Sequence, residues 1–136
     1  MNQNLTFLLI DDDEDDRELF EIALKELNHK PVYHSAASCC KALELLEGGE
    51  IKPDYIFLDL NMPQMSGCDC LTALKKNLAL SDIPVIIFST SSDQRDKHET
   101  KEMGAVDFIT KPPKTSELTI ILNQFIINRQ ETSHKK

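Results

Sequence analysis

Five polar residues each stand at the end of a short apolar run. Asp11 and Asp12 follow LTFLLI, Asp59 follows YIFL, Ser89 ends PVIIFS, and Lys111 follows VDFIT. Three carboxylates brought close together repel, and each raises the pKa of the others unless a cation neutralises them. A hard divalent ion with oxygen ligands does so. Mg²⁺ fits best, because it takes one or two carboxylates and keeps several waters and a phosphate oxygen. Lys111 adds a fixed positive charge, and Ser89 adds a hydroxyl donor. A metal, a cation and a hydroxyl can together hold the three equatorial oxygens of a phosphoryl group. Asp59, central in the set, is then the nucleophile, and an aspartyl phosphate is the product. Singly these residues are ordinary, since strands often end on a polar residue and a lysine after a strand is usually solvated.

Their meeting depends on the elements that carry them. Leu5 to Ile10 predicts a strand, and the acidic run Asp11 to Asp16 follows it directly. From Arg17 the positions Leu19, Phe20, Ala23, Leu24 and Leu27 recur at helical spacing. Asp13 to Asp16 read as solvated, helix-capping carboxylates at the positive end of its dipole. Asn28 and Pro31 end this helix, and Pro31 to Ala36 predicts a second strand. Ser38 caps a second helix with Ala42, Leu43, Leu45 and Leu46 as apolar positions, stopped by Gly48-Gly49.

Tyr55 to Leu58 is the third strand. A turn through Asn61, Pro63, Ser66 and Gly67 follows, where Pro fixes φ and Gly relaxes it. The third helix is expected from about Cys68 to Leu78, with Leu71, Leu74 and Leu78 on one face. Pro84 to Phe88 is the fourth strand. Ser91 or Ser92 caps a fourth helix that reaches Met103 and stops at Gly104. Val106 to Ile109 is the fifth strand. A fifth helix begins near Thr115 or Ser116 and carries Leu118, Ile121, Leu122, Phe125 and Ile126. Residues 1–130 are read as one domain and 131–136 as a disordered tail, with the polar stretch beginning at Gln130.

Strand and helix therefore alternate five times. Strands one, three and four are continuous apolar runs, the pattern of strands buried on both faces in a parallel sheet covered by helices. In such a sheet the C-terminal strand ends share one edge, where ligands bind at the point of reversed strand order. The four polar strand endings, with their five residues, all fall on that edge.

The formal net charge of −8 opposes nonspecific nucleic-acid binding, which needs basic surface. No stretch approaches the ~20 apolar residues of a membrane span. The N-terminus lacks the basic start of a signal peptide, so the expected location is the cytoplasm. Cys39, Cys40, Cys68 and Cys70 form no CxxC pair and the four histidines are scattered, so zinc is not expected and the cysteines are read as free thiols. Asp11, Asp13 and Asp15 suggest a calcium loop, but Asp16 and Ile22 stand where Gly and Glu are required. The acidic run after the first strand also repels the phosphates of a flavin or dinucleotide.

The motifs IDDD, LDLNMPQMSG, FST and TKPP, each after its strand, resemble those of the receiver domain of two-component response regulators. The resemblance covers about residues 5 to 128. It implies a flavodoxin-like, doubly wound, five-stranded parallel sheet of order 2-1-3-4-5 in three α/β/α layers. It also implies that Asp59 accepts the phosphoryl group. Asp12, Asp59 and the backbone carbonyl of Asn61 would coordinate Mg²⁺ directly, with Asp11 acting through a water. Lys111 would pair with the phosphoryl group, and its bond to Pro112 would be cis. Ser89 would be the switch hydroxyl and Phe108 the aromatic switch residue, without the phenol hydroxyl that some members use. Pro113 and Lys114 stand where an aromatic residue and an acidic helix cap are frequent.

The implied donor is a sensor histidine kinase or a histidine phosphotransfer protein. With no output domain expected, the signal would leave by binding an unidentified protein, and a homodimer through the fourth helix, fifth strand and fifth helix is one arrangement of the family. Such a protein is not an enzyme toward other molecules. Two other readings compete. A haloacid-dehalogenase-type phosphohydrolase would use Asp11 in a DxDx[TV] motif, but Asp15 stands where Thr or Val belongs. A pseudo-receiver would bind partners without phosphorylation, but the acidic and lysine positions are all present.

Overall fold

A computed structural model of the chain describes residues 5–28, 30–63 and 65–134, the side chains of 130–134 excepted. The elements alternate as expected: β1 (Thr6–Ile10), α1 (Glu14–Lys25), β2 (Val32–Ala36), α2 (Cys39–Glu47), β3 (Tyr55–Leu58), α3 (Gly67–Lys76), β4 (Val85–Ser89), α4 (Gln94–Glu102), β5 (Asp107–Thr110) and α5 (Thr115–His134). The five strands are parallel in the order β2-β1-β3-β4-β5. The continuous apolar runs become the central strands, with β4 buried along its whole length.

Alternate residues of each strand point to opposite faces. Leu8, Ile10, Ile56, Leu58 and Ile87 pack with the apolar residues of α2 and α3. Phe7, Leu9, Phe57, Ile86 and Phe88 pack with those of α1 and α5. The second face is rich in rings. Phe20 meets Phe57, Phe88 and Tyr33 with centroids 5.2, 5.3 and 5.7 Å apart, and Phe57 meets Phe125 at 5.5 Å.

Five expectations need correction. The α3 helix ends at Lys76 because Asn77 is extended, so Leu78 leaves the apolar face and is 91% exposed. The cap of α4 is Asp93, whose carboxylate accepts the Arg95 N–H; the Ser91 hydroxyl is turned to Asp96 instead. The α5 helix continues through His134, so the polar end is helical to that point; no Gly or Pro interrupts it. The Lys111–Pro112 peptide is trans, the ordinary preference of an X-Pro bond. Cys39 and Cys70, expected as free thiols, form a disulfide with Cα atoms 5.7 Å apart. They lie in the first turns of α2 and α3, which pack on one face of the sheet, so a separation of 31 residues closes in space. Cys40 and Cys68 are free.

Candidate phosphorylation site

The strand ladders continue one residue beyond β1 and β3 and fix the aspartates that follow. The Asp11 N–H donates to the Ala36 carbonyl and the Asp59 N–H to the Ile10 carbonyl, both at 3.0 Å. Both side chains are thereby held at the mouth of the sheet, and both residues are buried, at 0% and 5% exposure. Asp12 is exposed beside them. Carboxylate oxygens of Asp11, Asp12 and Asp59 all lie within 4.8 Å of one another. This oxygen-only set suits a small hard cation such as Mg²⁺. Asn61 lies at the rim, and its N–H points to Asp59 Oδ1 at 3.4 Å.

Lys111 reaches the cluster from the far side of the sheet, as β4 and β5 bring it there. Its N–H donates to the Ser89 carbonyl at 2.7 Å. Its Nζ lies 2.8 Å from Asp11 Oδ2, 2.7 Å from Asp16 Oδ2 and 3.7 Å from Asp59 Oδ1. Burial works against the ammonium charge, but the hydrogen bonds to Asp11 and Asp16, together with the negative charges of Asp11 and Asp59, outweigh it and hold the lysine pKa above its usual value. Burial raises Asp11 despite the help of Lys111. Asp59 is pushed up to about 6, first by burial, with Lys111 opposing the rise and Asp11 and Asp12 adding to it. One ammonium thus does not compensate the cluster, and a further cation is electrostatically favoured there.

Ser89 is fully buried at the end of β4. Its Oγ accepts the Ser91 N–H at 3.2 Å. The Ser91 carbonyl accepts the Thr110 hydroxyl at 3.1 Å, and the Ser91 hydroxyl donates to Asp96 Oδ2 at 2.6 Å. Ser89 is therefore linked through one residue to β5 and to the first turn of α4. Phe108, opposite Ile87 in register, is half-buried with the Lys97 ammonium 5.8 Å from its ring centre. It borders a cavity of about 240 Å³ between α4 and β5.

Every residue singled out for chemistry lies at this edge except Phe108, which sits behind it. Two contributors, Asp16 and Arg17, were not foreseen, and Gly67 acts otherwise than expected. Asp16, read as solvated, is paired with Lys111. Its position four residues before the buried Phe20 places it on the inward face of α1, a signal present in the helical spacing. The Arg17 guanidinium donates to the Asp11 carbonyl at 2.8 Å and braces the loop. Gly67 serves close approach rather than unusual φ, since a Cβ there would overlap the backbone of Asp59 and Leu60. Its N–H closes the turn onto the Leu60 carbonyl at 2.9 Å.

The geometry does not favour Asp11 as a nucleophile. Its two oxygens are occupied by the Asp13 N–H and Lys111, and it has no exposed surface. Among the described residues no helix is long and apolar enough to cross a membrane.

The chain is similar in sequence and fold to response regulators. The chain is 33% identical over 129 residues to the two-component response regulator ORR1 of Oryza sativa subsp. japonica, covering 90% of this chain and 56% of that one. It is 31% identical over 117 residues to the phosphate regulon transcriptional regulatory protein PhoB of Pseudomonas aeruginosa, covering 83% and 48%. The chain thus spans about half the length of these curated relatives. Among solved structures it superposes on the phosphorylated cyanobacterial phytochrome response regulator RcpA with a TM-score of 0.81 at 26% identity, covering 90% of this chain and 91% of that one. The Mn²⁺-bound form of response regulator Rcp1 gives 0.75 at 25% identity, covering 86% and 88%. The family model for the response regulator receiver domain matches residues 7–123, a span that holds both arms of the site from Asp11 to Lys111, and the chain belongs to that family.

Proposed function

We propose that this chain acts as a phosphoacceptor in the cytoplasm, taking a phosphoryl group onto Asp59 and changing conformation to signal to a partner protein. The observation that carries this reading is the Lys111 ammonium, 2.8 Å from Asp11 and 3.7 Å from Asp59, against a cluster of three carboxylates. The phosphorylated form of RcpA and the Mn²⁺-bound form of Rcp1 support it by likeness. Asp12, Asp59 and the Asn61 carbonyl would hold Mg²⁺, with Asp11 acting through a water. Bound there, the ion supplies neutralisation of the phosphoryl oxygens.

The chain's own residues do the rest. The donor is a phosphohistidine on a sensor kinase or phosphotransfer protein. An Asp59 oxygen attacks phosphorus in line. The new O–P bond forms as the donor's N–P bond breaks, and the released imidazole takes a proton from solvent. Lys111 turns to one phosphoryl oxygen, and the Ser89 hydroxyl donates to another. That movement releases the Ser91 N–H and draws the β4–α4 loop inward. Phe108 then takes up the vacated space, and the surface of α4, β5 and α5 changes as a two-state element toward a downstream protein or a second copy of the chain. The chain promotes its own phosphorylation and dephosphorylation and turns over no other molecule.

Acetyl phosphate with Mg²⁺ tests the assignment by intact mass. Wild-type protein is expected to gain one phosphoryl group and Asp59→Asn none. Equal stoichiometric labelling of the two would sink the assignment of Asp59.

A further inference from the structure

Lys111 has three ammonium protons and three carboxylates around it, and it does not treat them equally. Asp11 and Asp16 lie at hydrogen-bond distance, 2.8 and 2.7 Å. Asp59 at 3.7 Å is within ion-pair range but beyond a hydrogen bond. The residue expected to grip the phosphoryl group is therefore held elsewhere. The two holders also differ. The Asp11 side chain has no exposure and a second bond to the Asp13 N–H, whereas that of Asp16 is 28% exposed. Asp16 also borders an open cavity of about 330 Å³ between α1 and the loop that joins β5 to α5. A carboxylate facing water is readily rehydrated on losing its partner; a buried one is not.

We propose that Asp16 is a positioning residue that restrains Lys111 in the unphosphorylated chain, so that a phosphoryl group on Asp59 must displace it. This inference rests on the phosphoacceptor reading above. Phosphoryl binding then exchanges one anion for another at the Lys111 ammonium. The Asp16 carboxylate is released to solvent, and Asp11 remains as the pivot about which the lysine turns. Asp16 thereby lowers the affinity of the site for a phosphoryl group and shortens the time the switch stays on.

Beryllofluoride, a phosphoryl mimic, measures this without a donor protein. Titration at saturating Mg²⁺, followed by fluorine NMR, gives the half-saturating concentration. Asp16→Asn is expected to lower it roughly twofold to fivefold, the size of a partly exposed ion pair. Asp16→Glu, which keeps the charge, is expected to stay near wild type. In a Lys111→Ala background Asp16→Asn is expected to have no effect. A purely structural Asp16 would lower the thermal midpoint without shifting the titration. An unchanged or raised half-saturation in Asp16→Asn, or a shift that persists without Lys111, overturns the restraint while leaving labelling of Asp59 intact. Failure of the wild type to bind the mimic or to take up phosphate overturns the phosphoacceptor reading and the restraint together.

Discussion

The site is walled on one side by α1 and on the other by the loop into α4, and the two walls are made of different materials. Phe20, Ala23 and Leu24 of α1 are buried, and the Phe20 ring is surrounded by Phe57, Phe88 and Tyr33. The helix is further tied by the Thr119 hydroxyl to the Ala23 carbonyl and by Arg17 to the Asp11 carbonyl. In α4 only Thr100 is buried, and its hydroxyl bonds within its own helix. The start of α4 hangs on Ser91, through bonds with Asp96 and the Asp93 N–H. Apolar burial fixes a scaffold, whereas a few exchangeable hydrogen bonds leave a segment free to adopt a second arrangement at low cost. The first wall holds the charges in place, and the second can follow Ser89.

This contrast can be broken by substitution. Phe20→Ala attacks the fixed wall and is expected to destabilise the chain by about 3–5 kcal/mol in urea unfolding. A loss below about 1 kcal/mol, the size of an ordinary surface substitution, would mean that α1 is not the scaffold described.

A smaller effect of opposite sign is expected at the charges themselves. Burial pushes the Asp59 carboxyl up to about 6 in the folded chain, against 3.8 ordinarily. A carboxyl raised in this way favours folding below its unfolded pKa, and that contribution is lost as pH rises through about 6. Without divalent ions, Asp59→Asn should therefore be more stable than wild type at pH 7, by up to about 3 kcal/mol for a shift of this size. The advantage should fade as pH drops toward 4. A pH-independent difference would contradict the buried, uncompensated charge.

Ser91→Ala probes the movable wall and should cost the least, about 1 kcal/mol in unfolding. Its effect should appear as faster amide exchange confined to the β4–α4 loop and the first turn of α4. Exchange that rises equally in α1 would erase the distinction between the walls.

Much of this was legible in the chain. Continuous apolar runs such as PVIIF, alternating with helices, suit a parallel sheet covered on both faces, and that arrangement brings Asp11, Asp12, Asp59, Ser89 and Lys111 to one edge. What escaped depended on side chains choosing among equivalent partners. Ser91, Ser92 and Asp93 are all good caps, and only the loop's path selects Asp93. Cys39 and Cys70 pair because two helices happen to start side by side. Asp16 looked like its solvated neighbours because its partner lies 95 residues away, although its helical phase with Phe20 pointed inward.

The identity of the phosphorylated residue tests the whole reading most directly. Acetyl phosphate-treated protein, reduced with borohydride, converts an aspartyl phosphate to homoserine, which peptide mass spectrometry can locate. Homoserine at position 59 alone is the expected result. Homoserine at 11 or 12, or none anywhere under conditions that label the intact protein, would contradict it.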